Sequence, residues 1–309
     1  MYFPILKGKQ FELAAIRELV GQVPANNVCP VVEPVNSALG PLIATISELS
    51  AAGINPWVVV NPSRGDFIAN AGLDIGPLLD QQLASTGNGP GGYVPCIKIL
   101  DDSDISARAL LRDSTRPVVA YVEGAISSTL AAELMRASAV LLNLDKNNYS
   151  AWRQLPAVVL YHDGFDKKSR NLDYPVESFY SRLHTDYRNF PNARGFGDYT
   201  ILCERLIEGG GPAYVVTIHL SYLDLSRSTH MYVRHFSSFS DNNSQSDPAG
   251  KFREALTLLI SYVNANQAKF VNTTGLQELF VLNSTGHYPG LGIVKKLSIK
   301  HHVQTLSLW

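Results

Sequence analysis

The sequence predicts an α/β fold: a (β/α)8 TIM-like barrel carrying a C-terminal α+β elaboration. Three observations predict it. Short apolar runs recur through roughly the first 200 residues, several near-continuous in Val, Ile and Leu, as strands buried on both faces require. Segments with helical spacing of apolar residues separate them. The runs start at intervals of about 20–40 residues, the length of a strand–helix unit.

In chain order the runs are 2–6, 28–32, 57–60, 94–97, 118–122, 140–142 and 158–161, with 196–202 as the eighth and weakest. Helical spacing is clearest at 11–19, where Phe11, Leu13, Ala14, Ala15, Ile16 and Leu19 are apolar at roughly helical intervals, and recurs at 42–49 and 130–135. Pro4, Pro34, Gly53, Pro56, Pro95, Pro117 and Pro156 punctuate the boundaries. The first turn, Lys7-Gly8-Lys9-Gln10, is neither GxGxxG nor a Walker A loop. That argues against the alternative, an open doubly wound sheet. No close repeat is present, which excludes a solenoid.

The pattern changes after about residue 172. Residues 213–220 and 231–236 read as two strands of a hairpin. Asp247-Pro248 reads as a helix start, with Asp247 at the N-cap and a helix over 249–265. The tail, 272–309, is expected to hold a short helix, a Gly-Pro turn and a final apolar stretch. Gly209-Gly210-Gly211 reads as a tight turn, since no helix follows to make a phosphate cradle. The expected division is a barrel over 1–201 and an elaboration over 202–309 packed on it as one unit. Its one flexible joint would be 237–246, rich in Ser, Asn and Asp.

Composition excludes several classes. The chain has 309 residues, 45% hydrophobic, enough for a sizeable core. With 26 basic and 27 acidic residues the net charge is −1, which disfavours a generally basic nucleic-acid binder. Cys29, Cys96 and Cys203 are far apart and form no CxxC, so neither a disulfide framework nor a cysteine zinc site is expected. Residues 1–10 lack a basic segment followed by an apolar one, and no apolar run approaches a bilayer span. The expected location is the reducing cytoplasm.

The functional signal is positional. Each run ends in a polar residue: Lys7, Glu33, Asn61, Lys98, Glu123, Asn143 with Asp145, and His162 with Asp163; the eighth adds Asp198. In a barrel these ends converge on one mouth, where barrel active sites lie. Lys7, Glu33, Lys98, Glu123 and His162 are the catalytic candidates, with the lysines holding an anionic group and His162 shuttling a proton. Asn61, Asn143 and Asp198 are candidates for substrate binding. Asp145 and Asp163 are candidate ligands for a divalent cation such as Mg²⁺ or Mn²⁺, a role open also to Glu33 and Glu123. The set fits hydrolysis of a phosphorylated or nucleotide-like substrate. A Schiff-base lyase built on a strand lysine is a further option, and none of the spacings is a specific motif.

His219 and His235 lie on apolar strands and read first as hydrogen-bonded core histidines. No HExxH or HxH pattern points to zinc. The aromatics between 174 and 199 alternate with Arg182, Arg188 and Arg194. Such interleaving can stack on bases, but aromatics packed over the core with exposed arginines is the favoured reading.

The opening Phe3-Pro4-Ile5-Leu6-Lys7-Gly8-Lys9-Gln10-Phe11-Glu12, followed by Val31-Val32-Glu33-Pro34, resembles the "Beta protein" family, named after a T-even phage protein. His162-Asp163-Gly164-Phe165, Gly195-Phe196-Gly197-Asp198-Tyr199, Gly210-Gly211-Pro212-Ala213-Tyr214, Ile218-His219-Leu220, Arg234-His235-Phe236, 247–252 and 288–292 resemble its bacterial, defence-linked branch. The resemblance covers nearly the whole chain. It implies a setting in phage–host conflict and a nuclease-like partner encoded nearby, and it supplies no catalytic residues. A non-catalytic module that binds such a partner is therefore the alternative to an enzyme. A dimer is expected only on base rate.

Overall fold

A computed structural model of the chain describes residues 1–86, 91–207 and 213–309. The glycines 209–211 and the stretch 210–212 fall outside them. Eight parallel strands close into a barrel, as the rhythm of the sequence predicts. They are β1 (Tyr2–Leu6), β2 (Val31–Val32), β3 (Trp57–Val59), β4 (Val94–Ile99), β5 (Val119–Val122), β6 (Ala139–Asn143), β7 (Val158–His162) and, after an intervening strand β8 (Glu177–Ser181), β9 (Ala193–Asp198). Helices α1 (Gln10–Arg17), α2 (Gly40–Ala51), α3 (Gly76–Ser85), α4 (Ile105–Asp113), α5 (Ser128–Leu134) and α6 (Tyr149–Trp152) alternate with the first seven barrel strands, and α7 (Leu183–Asp186) precedes β9.

Side-chain alternation explains the continuous apolar runs. One set of residues fills the barrel interior: Phe3, Ile5, Cys29, Val31, Trp57, Val59, Cys96, Val119, Tyr121, Leu141, Val159, Tyr161 and Tyr199. Their neighbours Leu6, Val32, Val58, Ile97, Ala120, Leu142 and Leu160 are equally buried on the opposite face of the sheet. Both faces are dry, so both must be apolar. The cysteines are buried thiols without disulfides. Burial pushes the Cys29 thiol up to about 12, so it packs as a small apolar residue.

The eighth barrel strand begins three residues earlier than the run 196–202 suggests. Its weak signal has a physical cause. A Cβ at Gly195 would stand 2.4 Å from the Met1 carbonyl oxygen, and one at Gly197 would stand 2.5 Å from that of Phe3. The seam between β1 and β9 closes only where side chains are missing, and glycine dilutes an apolar pattern.

Two compact units divide the chain. The barrel unit comprises 1–162 and 183–199, and the second unit 163–182 and 200–309. In the second unit β10 (Thr217–Asp224) and β11 (His230–Ser237) form the expected antiparallel hairpin, and β8 adds to β11 as a third strand. Three helices follow: α8 (Pro248–Ala265), α9 (Thr274–Thr285) and α10 (Leu291–Ser307). Asp247 caps α8 by accepting the Gly250 amide at 2.8 Å. Ile218, Leu220 and Phe236 of the sheet pack with Phe252, Leu256, Leu259, Leu279 and Leu297 of the helices in one apolar core. Among the described residues, no helix is long and apolar enough to cross a membrane.

Two polar devices brace this unit. The Lys251 ammonium, 2% exposed, donates to the carbonyls of Tyr214 at 2.7 Å and Asp241 at 2.9 Å, and also to that of Ser244. It gathers three loop carbonyls, of which that of Asp241 also accepts the Ser244 amide. Hydrogen bonds to a charged group contribute about 1.5–3 kcal/mol. Lys251→Met, which keeps the stem and deletes the donors, should therefore lower stability by about 2–4 kcal/mol in urea denaturation.

The second device is a relay through Thr273, the α9 N-cap, which accepts the Leu276 amide. Its hydroxyl pairs with His301 Nδ1 at 2.7 Å, and His301 Nε2–H donates to the Ser221 carbonyl at 2.8 Å. Helix α9, helix α10 and strand β10 are joined through one imidazole. Burial pushes His301 down to about 4, so the neutral ring makes these bonds at neutral pH.

Candidate active site at the barrel mouth

Interior residues recur every second position, and the next in-phase residue at the C-terminal end of each early strand is polar. After Ile5 comes Lys7, after Val31 Glu33, after Val59 Asn61, after Cys96 Lys98, after Tyr121 Glu123 and after Leu141 Asn143. These six therefore form the top layer of the barrel interior, at the face where barrel chemistry occurs.

Lys98 is the centre of the layer. Its ammonium lies 2.9 Å from Glu33 Oε1, 3.1 Å from Glu33 Oε2 and 2.8 Å from Glu123 Oε1. Arg64 approaches Glu123 Oε1 with Nη2 at 2.9 Å and Glu33 Oε2 with Nη1 at 3.8 Å. Two cations and two carboxylates thus balance in formal charge. They also form a gradient of access: the side chains of Lys98 and Glu33 are 1% and 3% exposed, Glu123 12% and Arg64 21%. Burial works against the Arg64 charge, but the carboxylates of Glu33 and Glu123 more than offset it and hold the guanidinium above its ordinary range.

Tyrosines and a second lysine floor the site. Tyr121 and Tyr199 share a hydrogen bond between their hydroxyls. The Lys98 ammonium lies 5.7 Å from the Tyr121 ring centre, and that of Lys7 lies 5.0 Å from the Tyr199 ring centre. Burial, neighbouring tyrosines and both glutamates push Tyr121 far above the ordinary phenol range, so it stays a neutral phenol.

Other expected site residues have structural occupations. The Asn61 amide pairs with the Lys98 backbone in both directions, at 2.8 Å each way, which adds a rung to the β3–β4 ladder beneath the ammonium. Asn143 Oδ1 accepts the Asp145 amide, and Asn147 bonds to the Asn143 and Gly124 carbonyls and the Ile126 amide. These asparagines shape the β5 and β6 loops. His162 follows interior Tyr161 and so faces the opposite side of the sheet. Asp198 precedes interior Tyr199, lies opposite His162 in register, and accepts the Tyr2 hydroxyl at 2.6 Å. Strand alternation thus takes His162 and Asp198 out of the interior layer.

The metal candidates are not gathered. Asp145 is exposed on a turn, and Asp163 belongs to the second unit, where its Oδ2 accepts the Glu204 amide at 2.8 Å. Among the described residues, no group of three or more His, Cys, Asp or Glu side chains is placed to hold a metal ion. Glu33 and Glu123 are already matched by Lys98 and Arg64, so the donor set does not fit a divalent cation. Arg182, Arg188 and Arg194 are exposed and Tyr174, Tyr180, Phe196 and Tyr199 are buried, which is the packing arrangement, but Phe179 departs from it and is exposed.

Sequence reasoning missed Arg64, Tyr121 and Tyr199. Arg64 lies past the strand end, on a loop bolted to the one after β2. The Asp66 amide donates to the Val35 carbonyl, and Asp66 accepts from Ser37. A Cβ at Gly65 would meet the Val35 oxygen at 2.2 Å, so the Arg64-Gly65 pair is the one signal the sequence carried.

Fold and site together define a (β/α)8 barrel with a charge-balanced cluster in its C-terminal mouth. Comparisons with protein-family models, curated proteins and solved structures return no match for this chain.

Proposed function

We propose that the chain is a barrel hydrolase acting on a small phosphorylated, nucleotide-like substrate at this mouth. One observation carries the reading: Glu33, Lys98, Glu123 and Arg64 converge and are partly buried, whereas a scaffold has no need to gather them. Arg64 is the most accessible charge of the four and presents a planar fork suited to phosphoryl oxygens. A phosphoryl group that takes the guanidinium draws it away from Glu123. The Glu123 carboxylate, relieved of the guanidinium and still beside Lys98, accepts a proton from the attacking water. Water oxygen bonds to phosphorus, the bond to the leaving oxygen breaks, and Lys7 stabilises the charge that develops there. Lys98 stays on Glu33 and keeps the floor neutral. No step runs through a divalent cation.

Glu123→Gln should lower kcat on a phosphate-ester panel by about 10²–10⁴-fold with little change in KM. Arg64→Ala should act chiefly on KM. A folded, fully active Glu123→Gln protein would remove this mechanism.

The resemblance to the Beta-protein family supports placing the reaction in phage–host conflict. The rival reading, a module that binds a nuclease-like partner, draws on Leu172, Val176 and Phe179 of the second unit, all more than half exposed. It expects partner capture to survive Glu123→Gln and to fail with Phe179→Asp.

A further inference from the structure

The second unit carries a nucleophile–base–orienter chain that the barrel mouth does not use. Ser178 on β8, His235 on β11 and His219 on β10 lie across the three strands of one sheet. Ser178 Oγ is 2.9 Å from His235 Nε2, and His235 Nδ1 is 2.8 Å from His219 Nδ1. Two facing ring nitrogens at that distance share one proton. Placed on His235 Nδ1, it leaves Nε2 as the acceptor for the Ser178 hydroxyl, the order a general base needs.

Three features support a chemical role. The rings are held on several sides: Tyr174 stacks on His235 with centroids 4.7 Å apart, and Phe165 meets His219 edge-on at 5.0 Å. The His235 amide also donates to the Val176 carbonyl, which ties the base's strand beside the nucleophile's. Ser178 is only half-buried, so a ligand can approach it. Finally, both imidazoles are neutral at neutral pH. Burial pushes His235 down to about 4, helped by Lys168 and opposed by Asp166 and Glu177, and burial with His235 and Lys167 holds His219 well below the imidazole range.

We infer that Ser178, His235 and His219 form a second hydrolytic centre, a serine esterase site for carboxylic esters with an apolar acyl group. The apolar preference follows from the Phe165 and Tyr174 rings beside the base. Ser178 Oγ bonds to the ester carbonyl carbon, and its proton passes to His235 Nε2. The carbon–alkoxy bond breaks, and the departing alkoxide takes that proton. Water then attacks the acyl-Ser178 carbonyl, gives its proton to His235, and the acid leaves as Ser178 regains it. His219 does not touch the substrate; it positions His235 and fixes its tautomer.

The test uses the full chain and a fluorophosphonate probe, which phosphonylates activated serines, with the modified peptide located by mass spectrometry. Wild-type protein should carry the label on Ser178 and on no other serine. It should also hydrolyse p-nitrophenyl butyrate at a rate that Ser178→Ala lowers at least 100-fold. His235→Gln should slow labelling of Ser178 by about 10²–10⁴-fold. His219→Phe should slow it less and lower the pH at which labelling becomes fast, because protonated His235 loses the acceptor of its Nδ1–H. Absence of label on Ser178 in the wild-type protein overturns the proposal without recourse to any variant. Unchanged labelling in folded His235→Gln also overturns it, since the serine would then owe nothing to the imidazole.

Discussion

Lys98→Met should destabilise the barrel by about 3–5 kcal/mol, the cost of breaking a buried ion pair by removing one partner. The ammonium lies within 3 Å of both Glu33 and Glu123. Methionine fills the stem's volume but removes the cation shared by the two carboxylates in a nearly dry layer. The companion variant decides whether charge or packing is responsible. Lys98→Met with Glu33→Gln removes one charge of each sign and should recover more than half of the loss. Urea denaturation of the four proteins gives the coupling energy directly. A Lys98→Met protein as stable as wild type would show that the cluster is open to water, and the access gradient on which the mechanism rests would fall with it.

The second large effect is acid sensitivity well above the carboxylate range. His219, His235 and His301 have folded-state affinities for protons lowered by burial, the latter two to about 4. The unfolded chain has ordinary imidazoles, near 6.5. Above that pH both states are neutral and stability is full. Between about 6.5 and 4 the unfolded chain binds protons that the native state refuses, so stability falls as pH falls. His301 alone should contribute about 3 kcal/mol over this window. The urea midpoint should therefore drop steeply from pH 7 to pH 4.5, with a shallower slope in His301→Asn. A flat midpoint over that interval would contradict the neutral-imidazole relay. Lowering the pH further adds Asp224, whose bonds to Ser226, Lys269 and Arg227 hold its carboxyl below the usual range.

The barrel was legible in the sequence because its strands are buried on both faces. Runs such as 118–122 and 158–161 admit few other readings. The strand-end residues followed from the same alternation that fills the interior. Alternation also explains what was misplaced. His162 and Asp198 end strands as clearly as Glu33 does, but on the other phase, and a one-residue step exchanges the two faces of a sheet. Asn61 and Asn143 were found for the right position, yet their amides close backbone gaps, which composition cannot reveal. Strand β8 was hidden inside an aromatic, Arg-rich stretch without a clean period, because its first residues are only half-buried, Phe179 is exposed, and its pairing partner, β11, lies fifty residues on. Arg64 was missed because a loop side chain has no period at all.

The insertion of 163–182 ahead of β9 sets a schedule for synthesis. A nascent chain that has emerged only to residue 162 holds the material for seven barrel strands, with β1 and β7 still lacking their shared neighbour. Both edges then offer unpaired amides and carbonyls to other chains. Closure waits for 193–198, whose glycines must slide against Met1 and Phe3. At about 5–20 residues per second that interval lasts a few seconds on the ribosome. Expression at lower temperature or with chaperones should therefore raise the soluble yield, whereas a fragment ending at 162 should aggregate.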